Sequence, residues 1–248
     1  MVHWLHDAFI IAHIIVGAVG LLVFWVPVIG RKGGVTHRQA GRVFAYGMLI
    51  VGVLAIGISG TTLLDPAGTH PHMDFTPEFI TAIFGWMMMY LAILTINLAW
   101  YGLCCVWNKR DHAANRDWRN LALQAVLLIA SINCVWHGIA GAHPLMIGIS
   151  SIGFATVGTN LWFIFHPAPG RNAWLRQHLK GLVGAGISVY TAFFAFGAVR
   201  LAPELALSPL LWASPCIVGL GIIFWHWWDI TRKVRRRPAV RPPHAAFQ

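Results

Sequence analysis

Charge is what this sequence has least of. Only 10% of its 248 residues are Asp, Glu, Lys or Arg, against 57% hydrophobic and a mean hydropathy of +0.64. Soluble domains carry about 25% charged and roughly 45–50% apolar residues, so a water-soluble fold is excluded. Acidic residues are scarcer still, 8 against 18 cations. No Asp, Glu, Lys or Arg falls in the middle of an apolar run. Ionisable groups inside a membrane mark proton relays and ion paths, which disfavours a carboxylate-driven pump or coupled transporter. The last apolar run lacks lysine, which removes a retinal Schiff base. Cysteine is sparse too. Cys104, Cys105, Cys134 and Cys216 make no metal-type spacing, and the adjacent pair lies near the inner end of a run, against a structural disulfide. The amino terminus lacks the basic region of a signal peptide, so the first apolar run is expected to stay as a helix.

What the chain has instead is seven apolar runs of about 20 residues, the length of a membrane span. They cover roughly 7–29, 43–64, 78–106, 120–141, 145–165, 179–201 and 207–229. The reading is an all-α, polytopic seven-helix bundle in a single transmembrane domain, residues 1–231. A basic tail, 232–248, follows and is expected to be disordered. The cations orient it. Residues 31–42 hold Arg31, Lys32, Arg38 and Arg42, and every other Lys or Arg except Arg200 falls in the later loops or tail of the same side. Lys and Arg resist translocation, so that side is cytoplasmic and the amino terminus lies outside. This arrangement, multi-pass in a bacterial inner membrane, explains the net charge of +10 without nucleic acid. No connection is long enough for a soluble domain, and the chemistry must lie in or at the lipid bilayer.

Histidine is abundant, at 13 residues, and the topology sorts it into two layers. His13 and His137 each lie about six residues below the outer boundary, roughly 9 Å deep at about 1.5 Å per residue. Equal depth on two helices is what bis-histidine ligation of haem b requires. Asn133, one turn before His137, is placed to orient its imidazole, and Trp136, next to His137 in sequence, is placed to pack beside any bound ring. The inner layer offers His37, His178 and His226 as further cofactor ligands. Arg200, the one outer cation, suits a haem propionate or a quinone head group. His70, His72 and Met73 gather copper- or zinc-type donors in an external loop. Asn97, Gln124, Asn133 and Asn160 are uncharged polar residues inside spans and are expected to hydrogen-bond between helices. A weak repeat sets Gly30, Arg31, His37 and Gly41 beside Gly170, Arg171, His178 and Gly181.

Two stretches resemble a family of predicted bacterial membrane proteins known only by a domain-of-unknown-function label. One is Thr36-His37-Arg38-Gln39-Ala40-Gly41-Arg42-Val43-Phe44-Ala45. The other is His178-Leu179-Lys180-Gly181-Leu182-Val183-Gly184 with Tyr190 to Phe193 and Arg200. Members of that family often carry a second His-Arg pair where this chain has His178-Leu179. The resemblance implies a polytopic membrane protein and no activity; its paired histidines loosely resemble those of b-type di-haem cytochromes. The leading expectation is a haem-binding electron-transfer protein working with a quinone or another redox partner. The alternatives are a non-enzymatic accessory subunit of a membrane complex, and a metal-binding transporter or seven-helix metal-dependent hydrolase. No catalytic residue is assigned.

Overall fold

The computed structural model describes residues 2–72, 74–197 and 209–235. Among them there is no strand. Six helices are long and apolar enough to cross a membrane: α1 (Val2–Ile29), α2 (Val35–Leu64), α3 (Pro77–Trp107), α4 (Trp118–Ala140), α5 (Pro144–Phe165) and α6 (Ala173–Gly197). A further helix, α7, runs Pro209–Arg235. The shortest of the six has 22 residues. At about 1.5 Å per residue it reaches roughly 33 Å, more than the ~30 Å hydrocarbon core of a bilayer. The protein is an all-helical, multi-pass membrane bundle.

Three of the few carboxylates sit where helices or turns start. Asp117 accepts from the Arg119 N–H at 3.0 Å ahead of α4. Asp65 accepts from Gly68 at 3.0 Å ahead of the turn Pro66–Thr69, and Asp111 from Ala114 at 3.4 Å ahead of the turn His112–Arg116. The first N–H groups of a helix have no partner within it, and a carboxylate there satisfies one while meeting the positive end of the dipole. At the other pole, the Lys32 ammonium donates to the Pro27 carbonyl at 2.9 Å and to the Val28 carbonyl, closing the end of α1. Gly33 then turns the chain into α2 with φ +74, a conformation that glycine adopts without a Cβ clash.

The middle of the bundle is α3, which packs against α2, α4 and α6 and is the most buried of the six. Helix α1 lies along α2, α5 pairs with α4, and α7 leans on α6. Lipid tails are as apolar as leucine, so close backbone approach and interhelical hydrogen bonds hold such a bundle. Gly181 shows the first. A Cβ added there would stand 2.7 Å from the Leu98 carbonyl oxygen and 2.8 Å from Gly102 Cα, so α3 and α6 touch backbone to backbone. Part of α3, Thr81–Met87, is a π-helical turn.

Three helices begin well before the apolar runs. Helix α1 starts at Val2, α2 at Val35 and α6 at Ala173, so most of the basic segment 31–42 is helix. That places His37 in the first turn of α2, and it sets His178 and Lys180 well inside α6. Lys180 is therefore a cation within a span rather than a loop cation.

Candidate functional site

The inner histidines are built in a common way. His37 Nδ1 donates to the Pro27 carbonyl of α1 at 3.1 Å, and His178 Nδ1 donates to the Gly102 carbonyl of α3 at 3.0 Å. A carbonyl only accepts, so in each neutral ring Nδ1 carries the proton and Nε2 keeps its lone pair. The two rings stand on different helices and are close enough for their charges to interact. His226, on α7, lies within similar reach of Lys32. Just ahead of His178, Arg176 donates through Nη2 to Thr231 Oγ1 at 2.8 Å, while its buried Nε has no partner.

Between this layer and the bilayer centre runs a polar network. Lys180 Nζ donates to Asn160 Oδ1 at 2.7 Å and to Thr159 Oγ1 at 2.9 Å, and it lies 5.2 Å from the centre of the Tyr101 ring. Asn160 Nδ2 donates to Asn97 Oδ1 at 3.2 Å and to Gln124 Oε1 at 3.1 Å; Asn97 Nδ2 donates onward to the Leu123 carbonyl at 3.1 Å. The expectation that the amides inside spans bond between helices is met for Asn97, Gln124 and Asn160, where α3, α4, α5 and α6 join, and not for Asn133, which makes no such bond among the described residues. The sequence reading missed Lys180, Tyr101 and Gln177, which accepts from the Tyr101 hydroxyl at 3.1 Å. Polar amides at Asn97, Gln124 and Asn160 were the available signal that a donor had to stand nearby.

The outer histidines make separate contacts. His13 Nδ1 donates to the Val51 carbonyl of α2 at 3.2 Å. His137 stacks on Trp86 of α3, ring centres 5.1 Å apart and planes at 13°. Trp136, expected to pack beside any ring bound near His137, is 68% exposed, and Asn133 lines a groove with Trp86 rather than bonding the imidazole. Of the external loop, His70 turns inward: its Nδ1 lies 3.0 Å from Thr69 Oγ1, and its ring faces Phe84 at 4.8 Å and His6 at 5.6 Å. His6 is buried, with Nδ1 at 2.7 Å from Thr61 Oγ1. His72 is exposed. Met73 and Arg200 lie outside the described residues. Among the described residues no group of three or more His, Cys, Asp or Glu side chains is placed to hold a metal ion.

Two hollows follow the seam between α3 and α4. One, about 440 Å³, is lined by Thr76, Glu78, Phe79, His137 and His143 with neighbouring backbone. The other, about 250 Å³, is lined by Trp86, Met89, Ile93, Val126, Ile129 and Asn133, with Tyr90 and Ala130 completing its wall.

The fold and its polar sites define a multi-pass helical membrane protein. Compared with known proteins, the chain matches no protein-family model, no curated protein and no solved structure.

Proposed function

We propose that this is a seven-span protein of a bacterial inner membrane, amino terminus outside and basic tail inside, that binds b-type haem near its inner face and carries electrons. The observation that supports the reading is the tautomer common to His37 and His178. A metal-ligating histidine almost always donates its other ring N–H to a carboxylate, a backbone carbonyl or water, which fixes the ring and raises its basicity. Both imidazoles have that partner and a free Nε2 lone pair, so the donor set fits a haem iron. His37 and His178 would hold the iron. The Pro27 and Gly102 carbonyls would set the ring planes, and Arg176 and Lys32 would meet the propionates. Bound there, haem supplies a one-electron couple whose potential the axial ligands and surrounding charges tune. The same two histidines head the two stretches on which the family resemblance rests. Helix α7, with 27 residues, is long enough to be the seventh span.

The test is the absorption spectrum of protein purified from haem-replete cells. A Soret band that shifts on reduction, lost in both His37→Ala and His178→Ala but kept in His13→Ala, is the expected result. A colourless wild-type protein would overturn the reading and leave the accessory-subunit alternative.

A further inference from the structure

The seam between α3 and α4 has the polarity of an amphiphile. Its upper hollow, at the end of α3 nearest the external loop, presents the Glu78 carboxylate and the imidazoles of His137 and His143. Its lower hollow is walled by Met89, Ile93, Val126 and Ile129. Along α3 the order Glu78, Trp86, Ile93 runs inward from the loop. Along α4 the order His137, Asn133, Val126 does the same in the opposite chain direction, so both walls change from polar to apolar at matching depth. The hollows abut at the near-parallel stack of His137 on Trp86. The larger falls within the roughly 300–1,000 Å³ usual for small-molecule sites.

A second feature coincides with the seam. Ala82 and Trp86, one from each hollow, belong to the π-helical turn Thr81–Met87. Such turns are rare and occur frequently at functional sites. Here the turn lies where the two hollows meet.

We propose that this seam binds an isoprenoid quinone or quinol, ring in the upper hollow and tail along the lower. A carboxylate beside the head position repels a phosphate, so an anionic phospholipid is the wrong charge. A neutral ring carrying oxygens suits the site: imidazole N–H groups donate to a quinone carbonyl, and a carboxylate or imidazole accepts from a quinol hydroxyl. The flat face of the His137–Trp86 stack matches a planar head, and the aliphatic wall matches a polyisoprenoid tail. The assignment supplies a partner for the electron-transfer reading but stands on the seam's own geometry.

The experiment is photolabelling of the full chain in proteoliposomes with an azido-quinone, the adducts mapped by mass spectrometry. Labelling is expected within residues 76–93 and 126–143, and excess unlabelled short-chain quinone displaces it. Trp86→Ala should weaken labelling by roughly tenfold, the upper end of what one aromatic pair contributes. His137→Ala should do the same, while His137→Gln, which keeps a donor, retains most of it. Thermal unfolding of each variant confirms that it is folded. Adducts elsewhere on the chain, labelling indifferent to Trp86 and His137, or displacement by phosphatidylethanolamine at the same concentration would each overturn the proposal. The readout does not involve haem: a protein with no Soret band that labels at the seam separates this site from the haem reading, and the reverse outcome separates them equally.

Discussion

Lys180 and Asn160 hold each other inside the bundle: the ammonium donates to Oδ1 at 2.7 Å, and the Nδ2 of the same amide donates to both Asn97 and Gln124. None of the partners is a carboxylate. The positive charge is met by an amide dipole, a hydroxyl and the face of Tyr101, and Asn160 is the one residue through which four helices share it.

Removing Asn160 should therefore cost more than removing any single partner. Asn160→Ala leaves Asn97 Oδ1, Gln124 Oε1 and the ammonium each short of a bond, and a hydrogen bond to a charged group contributes about 1.5–3 kcal/mol. Thr159→Ala takes only the exposed half of the lysine's coordination. Denaturation of the detergent-solubilised variants should rank Asn160→Ala well below Thr159→Ala. Equal stabilities would mean that the network is a passive filling of polar space.

Backbone contact at Gly181 gives a second expectation. Gly181→Ala drives a methyl against the Leu98 carbonyl and Gly102 Cα. Both are backbone atoms that cannot swing aside, so α3 and α6 must separate. His178 would then lose its bond to the Gly102 carbonyl, and thermal stability and any haem signal should fall together. At Gly158, where a Cβ would meet nothing within 4 Å, the same substitution should change neither.

Topology can be read with a membrane-impermeant thiol reagent. Cysteines introduced at Gly68 and at Ala239, the latter outside the described residues, should label from opposite sides of sealed vesicles. The native thiols interfere little, since Cys104, Cys105 and Cys134 are buried; Cys216 is only partly so and is best replaced by serine. Labelling from one side would remove a span from the proposed seven.

His70 makes folding sensitive to acid. Burial, and then the nearby His6 charge, lower its pKa from the ordinary 6.5. The unfolded chain therefore takes up a proton near pH 6.5 before the folded chain does. Stability should be flat above that value and decline as pH falls through 6.5 toward the lower folded pKa. Thermal unfolding from about pH 7.5 to about pH 5 should show that decline in the wild type and a shallower one in His70→Gln. The exposed His72→Gln should follow the wild type.

Apolar length made the six long helices legible, because about 20 apolar residues have few uses besides spanning lipid. What it concealed was the amphipathic first turns. Residues 35–42 and 173–178 carry Arg38, Arg42 and Arg176 among apolar neighbours, so a hydropathy reading stops short of them although nothing in them breaks a helix. That shortfall left Lys180 at the very edge of its run, counted with the loop cations. Depth for His13 and His137 was readable only as far as the helix ends were: α1 starts at Val2 and α4 ends at Ala140, so the two lie eleven and three residues from those ends. Their facing was not: whether two rings meet depends on which side of each helix its neighbours occupy, and that is settled by contacts such as Gly181 against Gly102, distant in sequence. The pairing of Asn97, Gln124 and Asn160 was easier, because an amide inside lipid has few alternatives to another helix.

The central place of α3 carries a consequence for biogenesis. Helix α3 reaches the translocon before α4, α5 and α6, yet its Gly102 face packs on α6. Between those events the nascent chain must park a helix holding Asn97 in contact with lipid or with an insertion chaperone. The first two helices can dock as they emerge. The third can lean on α2, but its α6-facing side waits for a partner still being translated, and that interval is when quality-control proteases would find the chain most open to attack.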